Sequence, residues 1–382
     1  MKRISIPGEV FWGTATEFRD VSLQELTGKK VLLLMNSSAV SRLSLDNWLS
    51  ELKQKTHLTW IRQVPPNPTH IDVYNKLCQI KGFLPDVVFA IGGGSTIDLA
   101  KCCVGLNYLA TMEQFSAEDV RQAIRSKEYL KYPVLIPIYA CPTTAGTGSE
   151  VTQWATVWDG EGVAKYSIDA PYLCPKRAYI VPEYTISMPR RLTLSTGLDA
   201  FCQAIEAYWA KASNPMVKEI SKAALRLLVQ YLPLALSEPS KLYYRKKVCL
   251  GSLFSGLAFS NTRTTACHSI SYPLTMRFGI EHGLACALTL SEVMKINLPA
   301  ISGAEELLEV LMVKSADELQ EWLERISSGI VKFRLSSFGI RKEDLSELAR
   351  MSFTLGRMDN NPVELTQEKV KRILEHSCIE IK

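Results

Sequence analysis

Short apolar runs alternate with helical ones through the first 150 residues, and few architectures accept that order. "KKVLLLMN", "LTWIRQV", "DVVFAIGGG" and "YPVLIPIYA" read as strands. "SRLSLDNWLSELKQ", "IDVYNKLCQI" and "STIDLAKCCVGLNYL" read as the helices between them. The strand runs are short and largely apolar, as in parallel strands covered on both faces. After "AYIVPEYT" apolar residues recur three and four apart instead, in "LDAFCQAIEAYWA", "MVKEISKAALRLLVQYL" and "VCLGSLFSGLAFS". That spacing is helical. The chain therefore divides into an α/β domain over residues 1–183 and an all-α domain over 184–382. No internal repeat or low-complexity stretch interrupts it.

A net charge of +5 on 382 residues, with no dense Lys/Arg block, argues against a nucleic-acid partner. No apolar run reaches membrane-spanning length, and "MKRISIPGEVFWG" lacks the apolar core of a signal peptide. The ten cysteines include no CxxC pair, so they read as reduced thiols of a cytoplasmic protein.

Two polar, glycine-containing segments close strands. In "AIGGGSTIDLAK" Gly93 and Gly94 let backbone approach a ligand, and Ser95 can cap the helix that follows. Amides at a helix start attract an anion such as a pyrophosphate. A tight strand-to-helix turn explains the same glycines equally well. "PTTAGTGSE" adds Thr143, Thr144 and Ser149, whose hydroxyls suit a phosphate or nicotinamide, or simply a polar loop. Two such segments at strand ends of one sheet favour a nucleotide.

Only five histidines occur, and His268 and His282 stand fourteen residues apart in "ACHSISYPLTMRFGIEHG". In "GLDAFCQAIEAYW" Asp199 and Gln203 share one helix face among apolar residues. A buried carboxylate is costly unless paired or bound to a cation. One acid and two imidazoles suit Zn²⁺ or Fe²⁺ with coordination left open.

In order, "GGGSTIDLAK", "PTTAGTGSEVT", "TGLDAFCQAIEAYW" and "CHSISYPLTMRFGIEHG" resemble the iron-containing (group III) alcohol dehydrogenases. The resemblance implies a Rossmann-like N-terminal domain and a helical metal domain, a fold shared with dehydroquinate synthase. It further implies a nicotinamide and a small aldehyde or alcohol in the cleft, and a homodimer. Carried over, Gly93, Gly94, Ser95 and Asp98 match the pyrophosphate loop, while Thr143, Thr144 and Ser149 match the loop touching phosphate and nicotinamide. Asp199, His268 and His282 match metal ligands. Gln203 stands where the family usually has a histidine, as a weak fourth ligand. Tyr272 stands where many members carry a proton-relaying histidine, and Val181 replaces an Asp common in the family.

Within the family the chain looks most like the branch that reduces phosphonoacetaldehyde to 2-hydroxyethylphosphonate. Arg263 and Arg277, on either side of His268, suit a phosphonate by bidentate hydrogen bonding, or else serve as helix caps and surface pairs. Asn36 ends a strand where the family commonly has an acid facing the ribose of NAD. Its neutral amide, with Ser37, Ser38 and Arg42 nearby, favours NADPH with NADH also used. The alternatives are a general short-chain dehydrogenase, a dehydroquinate synthase-like lyase and a metal-free, non-catalytic homologue.

Overall fold

The computed structural model describes residues 3–5, 8–159 and 165–378. The chain forms two compact units. One comprises Ile6–Thr144 and Ser149–Ser187; the other comprises Met1–Ser5, Ala145–Gly148 and Met188–Lys382.

The first unit is built on strands β1 (Glu9–Trp12), β2 (Lys30–Leu34), β3 (His57–Ile61), β4 (Val87–Gly92), β5 (Ile138–Pro142), β6 (Trp154–Trp158), β7 (Lys165–Asp169) and β8 (Arg177–Ile180). Six of them make one parallel sheet in the order β1-β8-β5-β4-β2-β3, while β6 and β7 form a separate antiparallel pair. Alternate residues of each strand face opposite sides, and in the central strands β2, β4 and β5 both sides are buried. Val31, Leu33 and Phe89 meet α1 (Ala15–Leu26) and α2 (Asp46–Lys55) through Phe18 and Trp48. Leu32, Leu34 and Val88 share the other core with Val73 and Leu77 of α3 (His70–Gln79) and Ile97 of α4 (Gly94–Gly105). The chain leaves β2 for one edge and β4 for the other, so the switch point of the sheet lies between them.

Two sequence expectations shift here. The helix expected over residues 41–54 breaks at Ser44, which adopts a left-handed φ of 54°. Leu43 and Leu45 are both buried, and an unbroken helix would point them some 200° apart. The strand expected from residue 132 starts at Ile138, after Pro133 and Pro137, which have no N–H to give a ladder. Gly146 and Gly148 serve packing: a Cβ on Gly148 (φ 61°) would lie 2.7 Å from the Gly256 Cα, and one on Gly146 would lie 2.5 Å from the Thr196 carbonyl oxygen.

The second unit is helical. Its α5 (Arg190–Trp209) is buried nearly all round and packs against α6 (Pro215–Ser237), α7 (Leu242–Phe259) and, further along the chain, α9 (His282–Ala287). Asn214 caps α6 through its side-chain oxygen, and Pro215 starts that helix. Between α7 and α9, α8 (Ala266–Phe278) ends at the left-handed Gly279. The chain then turns so that His282 is the first residue of α9. No helix among the described residues is long and apolar enough to cross a membrane.

Candidate active site

Asp199 on α5, His268 on α8 and His282 on α9 come together, and Cys286 joins them four residues beyond His282. One ligand atom from each lies within 4.8 Å of every other. Nε2 of His268 is 3.3 Å from Asp199 Oδ1. Nε2 of His282 is 4.0 Å from the same oxygen and 3.9 Å from Cys286 Sγ. Ligands of a tetrahedral ion at about 2.0–2.3 Å stand about 3.3–3.8 Å apart, close to this spacing. Asp199 and His268 are buried, and the His282 side chain is 31% exposed, so it marks the open side of the group.

Hydrogen bonds fix both imidazoles. Nδ1 of His268 bonds the fully buried Glu206 carboxylate, which also accepts from Thr265 Oγ1 at 2.6 Å and the Cys267 amide at 2.7 Å. Trp209 Nε1 in turn holds Thr265 Oγ1 at 2.8 Å. Ser271 gives its hydroxyl proton to the His268 carbonyl, so toward Nδ1 of His282, 3.2 Å away, it can only accept. Each ring therefore carries an N–H on Nδ1 and turns its Nε2 toward Asp199 and Cys286. His268 Nε2 is buried and makes no hydrogen bond. Outer partners of this kind set the tautomer of metal-binding histidines. The residues fit a divalent cation.

Charge points the same way. Burial alone would lower His268, but Cys286, Glu206 and Asp199 more than offset it and hold its pKa well above the usual imidazole value. His282 is raised by Cys286 and Asp199 against the same burial. Burial pushes the Cys286 thiol up, yet the two imidazoles bring it down to about 7. The anionic donors of this group call for positive charge at its centre.

The other expected residues are placed as follows. Gln203 is buried on α5, with Oε1 3.4 Å from Ser255 Oγ. Tyr272 lies parallel to His282, ring centroids 5.7 Å apart, and so fixes the plane of that imidazole. Arg277 bonds the Glu347 carboxylate at the surface. Arg263 is half-buried with a left-handed φ of 63°, its guanidinium against Gly356.

In the sheet unit, α4 begins where β4 ends, beside the switch point. Gly93 is its N-cap and no side chain caps it. Ser95 lies inside the helix and accepts from the Asn67 amide at 3.1 Å, so the capping expected of it is absent. No side-chain cap takes the first amides of α4, and amides at a helix start suit an anion. Thr144 packs on Gly93, and the Thr143 amide bonds the Gly92 carbonyl. Asp98 and Ser149 belong to a largely buried network. Lys101, fully buried, donates to Ser149 O (2.7 Å), Ser149 Oγ (2.9 Å), Thr152 Oγ1 (3.3 Å) and Trp154 O (2.9 Å). Ser149 Oγ donates to Asp98 at 2.5 Å, and the Thr156 amide does so at 2.9 Å. Asn36 clamps the end of β2 to Val64, accepting from its amide at 2.7 Å and donating to its carbonyl at 3.2 Å.

Three residues of this architecture escaped the sequence reading. Glu206 stands seven after Asp199, on the same helix face, and Cys286 four after His282; both periodicities were visible. Lys101 gave no signal, because its partners lie some fifty residues away.

A parallel sheet whose switch point adjoins a glycine turn belongs to dinucleotide chemistry, and a buried acid with two oriented imidazoles to metal chemistry. An enzyme with both is a metal-dependent nicotinamide oxidoreductase. Residues 7–182 match the family described as iron-containing alcohol dehydrogenase, and residues 193–378 match the C-terminal part of the Fe-containing alcohol dehydrogenase family. The chain belongs to the iron-containing alcohol dehydrogenases. It is an NAD(P)-dependent alcohol dehydrogenase or aldehyde reductase that uses a divalent metal. It is 32% identical over 308 residues to phosphonoacetaldehyde reductase of Streptomyces viridochromogenes, covering 78% of this chain and 77% of that one. It is 30% identical over 297 residues to 1-propanol dehydrogenase of Citrobacter freundii, covering 78% and 74%. Among solved structures, sulfoacetaldehyde reductase from Bifidobacterium kashiwanohense in complex with NAD⁺ superposes with a TM-score of 0.85 at 28% identity, over 99% of this chain and 98% of that one.

Proposed function

We propose that the enzyme reduces a small anionic aldehyde, with phosphonoacetaldehyde as the substrate and 2-hydroxyethylphosphonate as the product. The supporting observation is the similarity to reductases of phosphonoacetaldehyde and sulfoacetaldehyde, each an aldehyde bearing an acid group. Asp199, His268 and His282 hold the metal, with Gln203 beside them. Gly93, Gly94, Ser95, Thr143 and Thr144 hold the NADPH or NADH phosphates through the α4 amides and nearby hydroxyls. Asp98 and Ser149 shape that loop through Lys101, and Asn36 sets its edge. Residues 1–183 form the nucleotide-binding domain and 184–382 the metal and substrate domain of a cytoplasmic homodimer.

When bound, the metal supplies Lewis-acid polarisation of the carbonyl and the dihydronicotinamide supplies hydride. The chain's part is orientation. Glu206 and Ser271 hold protons on the two Nδ1 atoms, and Tyr272 keeps the His282 ring in plane. The exposed side of His282 is where the aldehyde oxygen enters, and the Tyr272 hydroxyl relays a proton to the nascent alkoxide. Arg263 and Arg277 contribute positive charge for the phosphonate.

A second reading, a general short-chain dehydrogenase, is favoured by the pairing of Arg277 with Glu347, which occupies the charge a phosphonate needs. Initial rates with phosphonoacetaldehyde and propionaldehyde separate the two. The proposal expects kcat/KM about ten- to a hundredfold higher for the phosphonate, the value of one charged hydrogen bond. Equal efficiency on both aldehydes, or equal loss on both in Arg263→Ala, selects the general dehydrogenase.

A further inference from the structure

Four donors converge in the helical unit, and three of them were expected. The fourth is a thiol. Cys286 is fully buried on α9, and its four-residue spacing from His282 puts both on one helix face. Its Sγ belongs to the group in which every donor atom lies within 4.8 Å of the others. The buried Nε2 of His268, which makes no hydrogen bond, points into the same group. Gln203 offers only a neutral amide, and its oxygen is directed toward Ser255. Cys202, Cys249 and Cys267 are also buried in this unit, but none is among the converging donors.

We propose that Cys286 Sγ is a metal ligand of this enzyme, completing an Asp199–His268–His282–Cys286 set in the place Gln203 was expected to fill. The inference rests on the reading that this group holds a divalent metal. A thiolate is a soft donor, and with two imidazoles and a carboxylate it suits zinc better than ferrous iron. Binding releases the thiol proton to solvent and forms one metal–sulfur bond; nothing is oxidised.

Cobalt(II) and zinc K-edge absorption test this on the intact protein, in a Cys78→Ser background that removes the exposed thiol. The enzyme loaded with one Co²⁺ per chain is expected to show sulfur-to-metal charge-transfer absorption in the near ultraviolet. The zinc form is expected to show a single sulfur neighbour at about 2.3 Å. Cys286→Ser should lose both signals and bind metal at least tenfold more weakly, while Cys267→Ser keeps them. One bound ion with no sulfur signal in the unsubstituted site overturns the assignment and leaves the metal centre standing. So does a Cys286→Ser protein with the signal intact. Failure to bind any divalent ion overturns both. The spectra of the unsubstituted site are decisive even where Cys286→Ser does not fold.

Discussion

Neither histidine orients itself; each depends on a neighbour with no reason to contact a ligand. Glu206 stands with no solvent around it. Burial raises its carboxyl, but His268, Thr265 and the backbone more than offset this and leave its pKa below the ordinary value. An ionised Glu206 fixes the Nδ1 proton of His268 and increases the basicity of Nε2. Glu206→Gln removes that charge while keeping the shape. It should weaken divalent-metal affinity about 10–100-fold, as outer-partner substitutions do. Competition against a chromogenic chelator reads the loss, and an unchanged affinity would mean that Glu206 serves packing alone. At this scale the sequence was legible where residues are rare: two of five histidines and one acid in an apolar helix stand out. Glu206 was not read because an acid on a helix is usually a surface residue, although its seven-residue spacing put it on the face of Asp199. Asp98 and Ser149 show what a motif leaves unsaid. Both match the cofactor loop in the motif; their side chains also bond each other, and Lys101 holds Ser149.

Elements bring these residues together by close approach. A Cβ on Gly283 would lie 1.8 Å from the Ser195 carbonyl oxygen and 2.9 Å from Asp199 Cβ. Only glycine allows α9 to sit this near α5, and the residue before it is His282. Gly283→Ala should force the two helices apart, costing about 1–3 kcal/mol as overpacking does, and carry His282 and Cys286 away from Asp199. Thermal unfolding and metal content measured together check this; a variant with lowered stability but full metal would show that the helices yield elsewhere. The alternating apolar runs made β2 to β5 legible, with ends displaced where prolines withhold a ladder donor. β1, at the edge of the sheet, is four residues long, too short to carry a pattern. The β6–β7 pair was also missed, since its pairing joins segments whose register periodicity does not encode.

Across the whole molecule, stability is tied to pH through a group far from the metal in chain order. Glu150 is buried, and burial raises its carboxyl from 4.5 to about 7, only partly opposed by a backbone hydrogen bond and Lys101. Its folded pKa exceeds its unfolded one, so its contribution is full below pH 4.5 and is lost as pH rises through about 7. The shift corresponds to about 3 kcal/mol. Glu150→Gln should remove this dependence: between pH 5 and pH 8 the native chain should lose stability in urea relative to the variant. Parallel profiles for the two proteins would rule the carboxyl out as the cause. The two-part plan, parallel sheet then helices, was plain from the change of apolar period near residue 183. The return of Ala145–Gly148 to the helical unit was not, because local composition says nothing about which partner a loop will find.

The enclosure of Lys101 has a practical use. Acylating reagents require an unprotonated amine that can meet them in water, and four protein oxygens surround this one instead. In the folded chain the surface lysines take up label while Lys101 does not. Each labelled Lys101 is then a record of one molecule that opened, so the yield of that single peptide in a mass spectrum becomes a running count of unfolding events under native conditions.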